Sequence, residues 1–339
     1  MRILKRILIL LLLLACAGGI FSWDLIYREN TARQNKRPLK IAEGTNWEGV
    51  MQLMIADTLL RSPKSLDRLA KWSGYSERIK PGLYRIVPGM SNKAILRLLA
   101  SGRQEEVKLV LRSSWSKENL VSYVCREINA DSNYLLTLLN DSSRLLQYGW
   151  NQHTVLAVFV PNTYNFYWTT DADQFLKRMF KEHKRFWNES RLQKAKTLGL
   201  TPTEVSVLAS IVEKETNQTD EMATVAGVYL NRLRKGMKLE ADPTVKFATG
   251  NPDIKRVRGE MLKIESPYNT YLYTGLPPGP ICMPSIQAID AVLKNEKHNY
   301  IYFCAREDFS GYHNFTADYN QHLLNARKYW LELNKKGVR

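Results

Sequence analysis

The chain has 339 residues, enough for two or three domains, and its 44% hydrophobic and 24% charged residues are ordinary for a globular protein. The formal net charge of +16 suits an anionic partner, such as a membrane surface, nucleic acid or an anionic wall polymer. Scattered basic residues, without zinc-finger spacing or a Gly-rich phosphate loop, argue against nucleic acid. The dispersed Cys16, Cys125, Cys282 and Cys304 predict neither a disulfide framework nor a metal site.

The N-terminus carries basic residues followed by an uncharged apolar stretch from Ile7 to Trp23. At the helical rise this stretch spans about 25 Å, close to the hydrocarbon core of a bilayer. The preceding positive charges favour a cytoplasmic N-terminus. We therefore expect residues 1–24 to form a single-pass anchor, with the bulk of the chain extracytoplasmic. The alternatives are a cleaved signal peptide and a lipoprotein signal ending at Cys16.

A small module follows the anchor. Residues 25–38 are polar and basic, which predicts a linker over anionic headgroups. Residues 39–106 contain apolar residues at helical spacing around Trp47, and a short segment bounded by Pro81 and Pro88 that is typical of a strand. Ser91 is placed to cap a further helix that stops at Gly102.

The remainder, residues 107–339, mixes short strands with longer helices and lacks a βαβ rhythm. The alternation from Glu106 to Arg112 predicts a strand, residues 116–146 a long helical stretch, and residues 173–187 a basic amphipathic helix. We expect an α+β fold with a helix-rich catalytic domain.

One helix carries the strongest chemical signal. Thr201-Pro202-Thr203-Glu204 is a capping box with Pro at the first helical position. Glu215 continues the apolar stripe of this helix, whereas Glu213 lies on the more polar side. A carboxyl in a partly dry site has a raised pKa and can act as a general acid near neutral pH. The stripe consists of Val205, Leu208, Ile211 and Val212.

Polar segments follow this helix. We expect another helix at residues 219–235, capped by Thr219 or Asp220, and loops at residues 242–244 and 268–270. Loop residues held by a rigid scaffold commonly bind ligands, although Asp and Asn also favour turns. Further elements are expected at residues 285–293 (helix), 300–303 (buried strand) and 319–333 (helix). His313 is expected to be a structural histidine, with a second titrating group as the alternative.

Five sequence blocks, in order, resemble the endolytic murein transglycosylase family of the MltG/YceG type. They are Ser-Ile-Val-Glu-Lys-Glu-Thr at 210–216, Asn-Arg-Leu at 231–233, Asp-Pro-Thr at 242–244, Tyr-Asn-Thr-Tyr at 268–271 and Gly-Leu-Pro-Pro-Gly at 275–279. The chain departs from the family pattern at Leu156 and Ala157, where Glu-Gly is usual, and at Asn162, where Asp is usual. Any groove role of those positions is therefore altered here.

The resemblance implies a membrane-anchored lytic transglycosylase without metal or cofactor, acting on the MurNAc–GlcNAc β-1,4 bond of peptidoglycan. Residues 39–106 would be a LysM-like subdomain contacting glycan, or a plain spacer, and residues 107–339 a YceG-like catalytic domain. Expected partners are glycan strands, the membrane and a cell-wall synthesis or division complex.

In this interpretation Glu215 is the catalytic acid and then base, and the C6 hydroxyl of the substrate is the nucleophile. The expected supporting and substrate-binding residues are Glu213, which is expected to pair with an arginine, together with Asn231, Asp242, Thr244, Tyr268, Asn269 and Thr270. Two alternatives stay open. One is a hydrolase with Asp242 or Glu240 as base. The other is a glycan-binding scaffold without activity.

Overall fold

The computed structural model describes residues 2–32, 38–113, 116–251, 254, 256–294 and 296–336. The chain forms two compact units. The first contains Met1–Leu109, Arg126–Ala130 and Asn165–Asp171, and the second contains Val110–Cys125, Asp131–Tyr164 and Ala172–Arg339.

The helices and strands are named in chain order. The helices are α1 (Arg2–Tyr27), α2 (Trp47–Ala56), α3 (Pro63–Trp72), α4 (Asn92–Ser101), α5 (Lys117–Glu127), α6 (Ser132–Asn140), α7 (Ser142–Leu146), α8 (Ala172–Phe186), α9 (Glu189–Leu198), α10 (Pro202–Glu215), α11 (Met222–Arg234), α12 (Asp242–Ala248), α13 (Ile286–Lys294) and α14 (Tyr319–Lys335). The strands are β1 (Leu39–Ile41), β2 (Gly82–Tyr84), β3 (Glu106–Val110), β4 (Thr163–Tyr167), β5 (Tyr302–Ala305) and β6 (His313–Thr316).

The strands of the described residues form separate two-stranded sheets, which pair β1 with β2, β3 with β4 and β5 with β6. The first pair is antiparallel with Leu39 opposite Tyr84, and the third is antiparallel with Tyr302 opposite Thr316. Helices supply most of the buried surface around these ribbons. The expectation of a mixed, helix-rich α+β fold is confirmed.

In the first unit, α1 is long and apolar enough to cross a membrane, and its apolar side chains are exposed. Its last turn joins the folded module. Leu25 and Ile26 pack against the module core, and the Leu25 carbonyl accepts a hydrogen bond from Asn92 Nδ2 at 2.8 Å. α1 therefore runs into the module without an intervening break.

The segment expected to be a linker is in part an integral piece of this unit. Asn30 and Thr31 are buried, and Thr31 forms an isolated β-bridge with Leu60. Residues 33–37, which supply most of the basic charge of the expected linker, lie outside the described residues. The predicted cap of α4 is confirmed, because Ser91 Oγ accepts a hydrogen bond from the Ala94 N–H and Gly102 ends the helix in the left-handed conformation.

Two sequence-based expectations after residue 110 are wrong. The single helical stretch over residues 116–146 is three helices, because Asp131 and Asp141 accept backbone hydrogen bonds as N-caps and interrupt the run. The expected buried strand at residues 300–303 begins at Tyr302 and is only half-buried. It has a hydrogen-bonded neighbour strand on one side only, because its sheet has two strands, and its burial is therefore incomplete.

α10 is the centre of the second unit. Its capping box and all four predicted stripe residues are as expected, with the stripe fully buried. The side expected to be polar is also buried, since Ser206 and Ser210 are inaccessible and donate to the carbonyls of Pro202 and Val207. α9, α11, α12 and α13 all contact α10, so solvent reaches only its ends.

Candidate active site

Glu215 is the last residue of α10, and Thr216 follows it in extended conformation. Part of the Glu215 side chain reaches solvent, but Oε2 is buried and has no hydrogen-bond partner among the described residues. Burial, followed by the charge of Asp242, raises the pKa of Glu215 to about 7. A hydrogen bond from Tyr229 and the charges of Lys246 and Arg232 oppose this shift of the pKa. The carboxyl is thus in part protonated at neutral pH.

Glu213 has a different environment. Its Oε2 accepts hydrogen bonds from the Ser285 N–H at 3.1 Å and from the Ser285 hydroxyl. The same hydroxyl accepts from the Ala288 N–H, so Ser285 caps α13 while it holds Glu213. Ser285 is a partner that the sequence did not predict, and the expected pairing with an arginine stays a prediction. Glu213 thereby fastens the last turn of α10 to the start of α13.

Asp242 lies in the first turn of α12, not in a loop as the sequence predicted. The Pro243 that follows favours a helix start, which explains the difference. Asp242 Oδ1 accepts a hydrogen bond of 2.6 Å from the Tyr271 hydroxyl. Since its charge contributes to the raised pKa of Glu215, Asp242 belongs to the same electrostatic site.

Thr244 and Thr270 fix the start of α12 from inside. Both side chains are buried, and their hydroxyl oxygens are 2.8 Å apart. Thr244 Oγ1 donates to the Ala241 carbonyl, and the Ala241 N–H donates to Thr270 Oγ1. The structure therefore places these two predicted substrate contacts in the interior, where they position Asp242.

The two asparagines also use their side-chain amides within the fold. The fully buried Asn269 donates to the carbonyls of Leu262 and Ile264 and accepts from the Tyr271 N–H. Asn231 Nδ2 donates to two carbonyls in the segment before β5, at 2.8 and 3.0 Å. The hydrogen bonds of Asn269 orient the loop that carries Tyr271, and those of Asn231 orient α11, which carries Arg232.

Tyr268 is the predicted substrate-binding residue whose aromatic side chain is partly exposed to solvent. It is half-buried, its ring lies 4.6 Å from that of Phe247, and its hydroxyl lies 3.3 Å from His153 Nδ1. Burial raises the pKa of Tyr268 to about 12, so the hydroxyl stays protonated. A Cβ at Gly279 would overlap the His153 carbonyl, which explains the glycine at this close approach.

The sequence reasoning did not assign site roles to Tyr229, Arg232, Lys246 and Tyr271. The buried Tyr229 hydrogen-bonds to Glu215. Two signals in the sequence could have found the tyrosines. Tyr271 is the second tyrosine of the Tyr-Asn-Thr-Tyr block. Tyr229 lies on the buried face of α11, where a hydroxyl needs a polar partner.

Arg232 is buried and joins three segments. Its Nε donates to the Ile301 carbonyl at 2.7 Å, and its Nη1 donates to the Leu239 carbonyl at 2.9 Å and to Glu240 Oε2 at 3.0 Å. Glu240 itself has a positive φ of 52°, a conformation that costs free energy in a non-glycine residue. Arg232 therefore holds the strained approach to Asp242 in place.

His313 has the structural role expected for it. Its Nδ1 lies 2.8 Å from Glu221 Oε2, and its backbone N–H donates to Glu221 Oε1 at 2.8 Å. Glu221 is the N-cap residue of α11, but its carboxylate makes no cap bond because His313 and Thr216 occupy it. The helix consequently begins at Met222, and the expected cap at Thr219 or Asp220 is wrong.

Together these residues define a site with a single carboxyl of raised pKa, held at the end of a buried helix. Among the described residues no group of three His, Cys, Asp or Glu side chains is arranged to hold a metal ion. A carboxyl with a pKa of about 7 is suited to proton transfer at neutral pH.

Comparison with known proteins agrees with this class. The model of the YceG-like family matches residues 39–328, and the chain belongs to that family. A Bacillus subtilis protein named endolytic murein transglycosylase is 26% identical, and the match covers 94% of this chain and 92% of that protein. A Streptococcus pneumoniae D39 protein of the same name is 25% identical over 87% of this chain but only 59% of its own length.

The fold also resembles a solved structure. The crystal structure of a yceG-like protein from Listeria monocytogenes has a TM-score of 0.57 and 23% identity, and the match covers 85% of this chain and 97% of that one. At this identity the likeness concerns the fold alone.

Proposed function

We propose that this protein is a membrane-anchored endolytic lytic transglycosylase of peptidoglycan. The observation that carries the proposal is Glu215, a carboxyl with a buried, unpartnered oxygen and a pKa raised to about 7, within the Glu-Lys-Glu-Thr block of the family signature. Its relatives' names and the family membership support the substrate class. Cleavage of the MurNAc–GlcNAc β-1,4 bond follows as the reaction.

The reaction needs only one carboxyl. Glu215 donates its proton to the departing glycosidic oxygen as the bond to C1 of the muramic acid breaks. The resulting carboxylate then takes the proton of the C6 hydroxyl, whose oxygen forms the new bond to C1. No water is consumed, and the product is a 1,6-anhydro end. An intramolecular nucleophile benefits from its high effective molarity.

Asp242 and its neighbours supply the electrostatics. After burial, the Asp242 carboxylate contributes to the raised pKa that favours a protonated Glu215 before the reaction, and it stabilises the oxocarbenium-like charge that develops at C1. Tyr271 orients Asp242 through their 2.6 Å hydrogen bond. Tyr268 offers its half-exposed ring to a sugar face. Thr244, Asn269, Thr270 and Asn231 act as positioning residues in this proposal, since their polar atoms bond within the protein.

The anchor and the small module place the enzyme at the wall-facing side of the membrane. α1 spans the inner membrane with its N-terminus in the cytoplasm, and the LysM-like module contacts glycan strands, so nascent strands near the membrane are trimmed or terminated. A cell-wall synthesis or division complex is the expected protein partner. The mass of the mature N-terminus tests the anchor: a chain that starts at a lipid-modified Cys16 would replace this view with a lipoprotein.

The deciding experiment digests purified glycan strands with the protein and identifies the ends by mass spectrometry. Wild type is compared with Glu215→Gln and, as the matched control on the same helical turn, Glu213→Gln. We expect anhydro ends from wild type and from Glu213→Gln, whose amide oxygen still accepts from Ser285, and none from Glu215→Gln.

Other products would contradict the proposal. Reducing ends with one solvent oxygen incorporated would indicate a hydrolase with Asp242 or Glu240 as base. Strand binding without cleavage by all three proteins would indicate a glycan-binding scaffold.

A further inference from the structure

A cavity of about 460 Å³ lies in the first unit where the end of α1 meets α3 and α4. It uses none of the residues around Glu215. The rim formed by α1 has the apolar Phe21 and Leu25 together with Asp24, whereas the wall formed by α3 and the residues before it is polar and basic. This combination of an apolar rim on a membrane-type helix and a cationic wall distinguishes the cavity from an ordinary surface depression.

Part of the cavity lining is a network of hydrogen bonds between polar side chains. Asn30 Nδ2 donates to Asn92 Oδ1 at 2.6 Å and to Ser65 Oγ at 3.2 Å, and both asparagines are buried. Asn92 Nδ2 donates to the Leu25 carbonyl at 2.8 Å. The cationic wall is therefore fixed relative to the last turn of α1, which is the kind of preorganisation that a binding site requires.

The charges of the cavity do not balance. Arg28 pairs with Asp24 at 3.3 Å, and Arg61 pairs with Glu29 at 3.1 Å. The two remaining cations of the lining, Lys64 and Arg68, lie one turn apart on α3, and neither forms an ion pair with a residue that the structure describes. The cavity thus presents two uncompensated positive charges beside an apolar helix.

We propose that this cavity binds the phosphate headgroup of an anionic phospholipid, whose acyl chains run along α1 past Leu25 and Phe21. Arginine contacts phosphate oxygens in a bidentate manner and lysine adds a point charge, so Arg68 and Lys64 match this ligand. The proposal rests on α1 being the membrane anchor. A lipid held there couples the orientation of the module to the membrane surface.

The test measures lipid binding to the full chain by native mass spectrometry in neutral detergent. Phosphatidylglycerol and phosphatidylcholine are titrated into wild type and Lys64→Ser/Arg68→Ser. The matched control is Lys93→Ser/Arg97→Ser, which removes a Lys–Arg pair of the same spacing from α4, outside the cavity lining. Lys64, Arg68 and Arg97 are exposed, whereas Lys93 is half-buried and donates to the Tyr27 hydroxyl, so thermal unfolding of each variant verifies that the fold is intact.

We expect wild type to prefer phosphatidylglycerol. Each cation near an anionic headgroup changes binding roughly fivefold, so the cavity variant should lose about 25-fold in affinity, and the control less than about threefold. Equal losses in both variants, or no preference for the anionic lipid, would overturn the proposal in favour of general attraction to a basic surface.

Two further arms separate the sources of failure. Wild type is titrated with glycerol 1-phosphate, and binding as tight as that of phosphatidylglycerol would overturn the lipid assignment in favour of a soluble phosphate compound. Alkaline carbonate extraction of membranes tests the anchor, and release of wild type would overturn both anchor and lipid site. Glycan cleavage by the cavity variant should equal that of wild type, so a failure of the proposed chemistry shows independently of lipid binding.

Discussion

Two glutamates of α10, separated by one residue, have opposite environments because helical geometry points them in different directions. Glu213 accepts two hydrogen bonds from Ser285, one from its backbone N–H and one from its hydroxyl. Glu215 keeps a buried oxygen without a partner among the described residues, and its pKa rises to about 7. The proposed proton-transfer role of Glu215 and the proposed supporting role of Glu213 rest on this difference.

The pH dependence of cleavage should report the pKa of Glu215. The acid must be protonated at the start of the reaction, so kcat/KM should fall about tenfold per pH unit above about 7. Asp242→Asn removes a charge that raises this pKa and should move the falling limb to lower pH. Tyr229→Phe removes a hydrogen bond that lowers the pKa and should move the limb to higher pH.

Initial rates of glycan cleavage between about pH 5 and 9 give this profile. Where a variant is too slow, a ¹³C NMR titration of the Glu215 carboxyl reads the same pKa. If neither variant changes the pH at which kcat/KM falls, Asp242 and Tyr229 do not shift the pKa of Glu215.

The same carboxyl should reduce stability at neutral and higher pH. Its folded pKa of about 7 lies above the ordinary value of 4.5, so the folded state keeps a proton that the unfolded state releases between these values. The free energy of unfolding therefore falls as pH rises through this window. Glu215→Gln escapes the loss, and we expect it to exceed wild type by roughly 2 kcal/mol at pH 8, with allowance for partial exposure.

Urea unfolding at pH 4 and pH 8 measures the effect. At pH 4 the two proteins should be of similar stability, since Glu215 is then protonated in both states. Glu213→Gln serves as the control and should gain nothing at pH 8. A Glu215→Gln protein that is less stable than wild type at pH 8 would contradict the dry environment assigned to the carboxyl.

At the scale of elements, the site is assembled by long-range hydrogen bonds between chain segments that are irregular or short. Arg232 of α11 bonds to the segments before α12 and before β5. Thr244 of α12 bonds to Thr270 of the following loop. These bonds, rather than the helix packing alone, hold Asp242 where its charge acts on Glu215.

Arg232→Met should therefore destabilise the second unit by about 3 kcal/mol, because it leaves buried carbonyl groups and Glu240 without their partner. Arg234→Met is the matched control two residues later. Arg234 is exposed and bonds only to Asn231 Oδ1 among the contacts described, so its loss should cost less than about 0.5 kcal/mol. Chemical denaturation measures the free energy of unfolding of both variants. Equal losses would contradict the role of Arg232 in holding the segment before Asp242 in place.

At the scale of the whole molecule, α1 and the first module form one continuous unit, which decides where the proposed membrane anchor can be removed. A chain that begins at Leu25 keeps the packing of Leu25 and Ile26 and the bond from Asn92. A chain that begins at Arg28 loses all three and should be less stable by about 2–3 kcal/mol. Thermal unfolding of the two truncated proteins measures the difference, and identical midpoints would contradict the continuity.

The longer of these truncated proteins also tests the role of the anchor. It should cleave purified strands as wild type does, because it retains the whole second unit. In cells it should fail to restore the normal distribution of glycan strand lengths, since the enzyme is no longer held at the membrane. Full restoration by this soluble form would refute the trimming of nascent strands near the membrane.

Features that depend on local pattern could be predicted from the sequence. Capping boxes and apolar spacing act over a few residues, and the predicted start and buried stripe of α10 and the capped start of α4 are confirmed. The motif order identified the family, and the position of Glu215 on the stripe identified the candidate acid. The raised pKa of Glu215 follows from the same reasoning, because burial is its largest cause.

Contacts between distant segments determine which of the predicted polar site residues bond within the protein. Thr244 and Thr270 meet across 26 positions of the chain, and Asn231 bonds to carbonyls of residues even further away. No local pattern encodes such pairings, because a hydroxyl or amide is equally compatible with a ligand or a distant backbone group. Likewise Ser206 and Ser210 are buried because helices surround α10 on all sides, and this arrangement exists only in the folded chain.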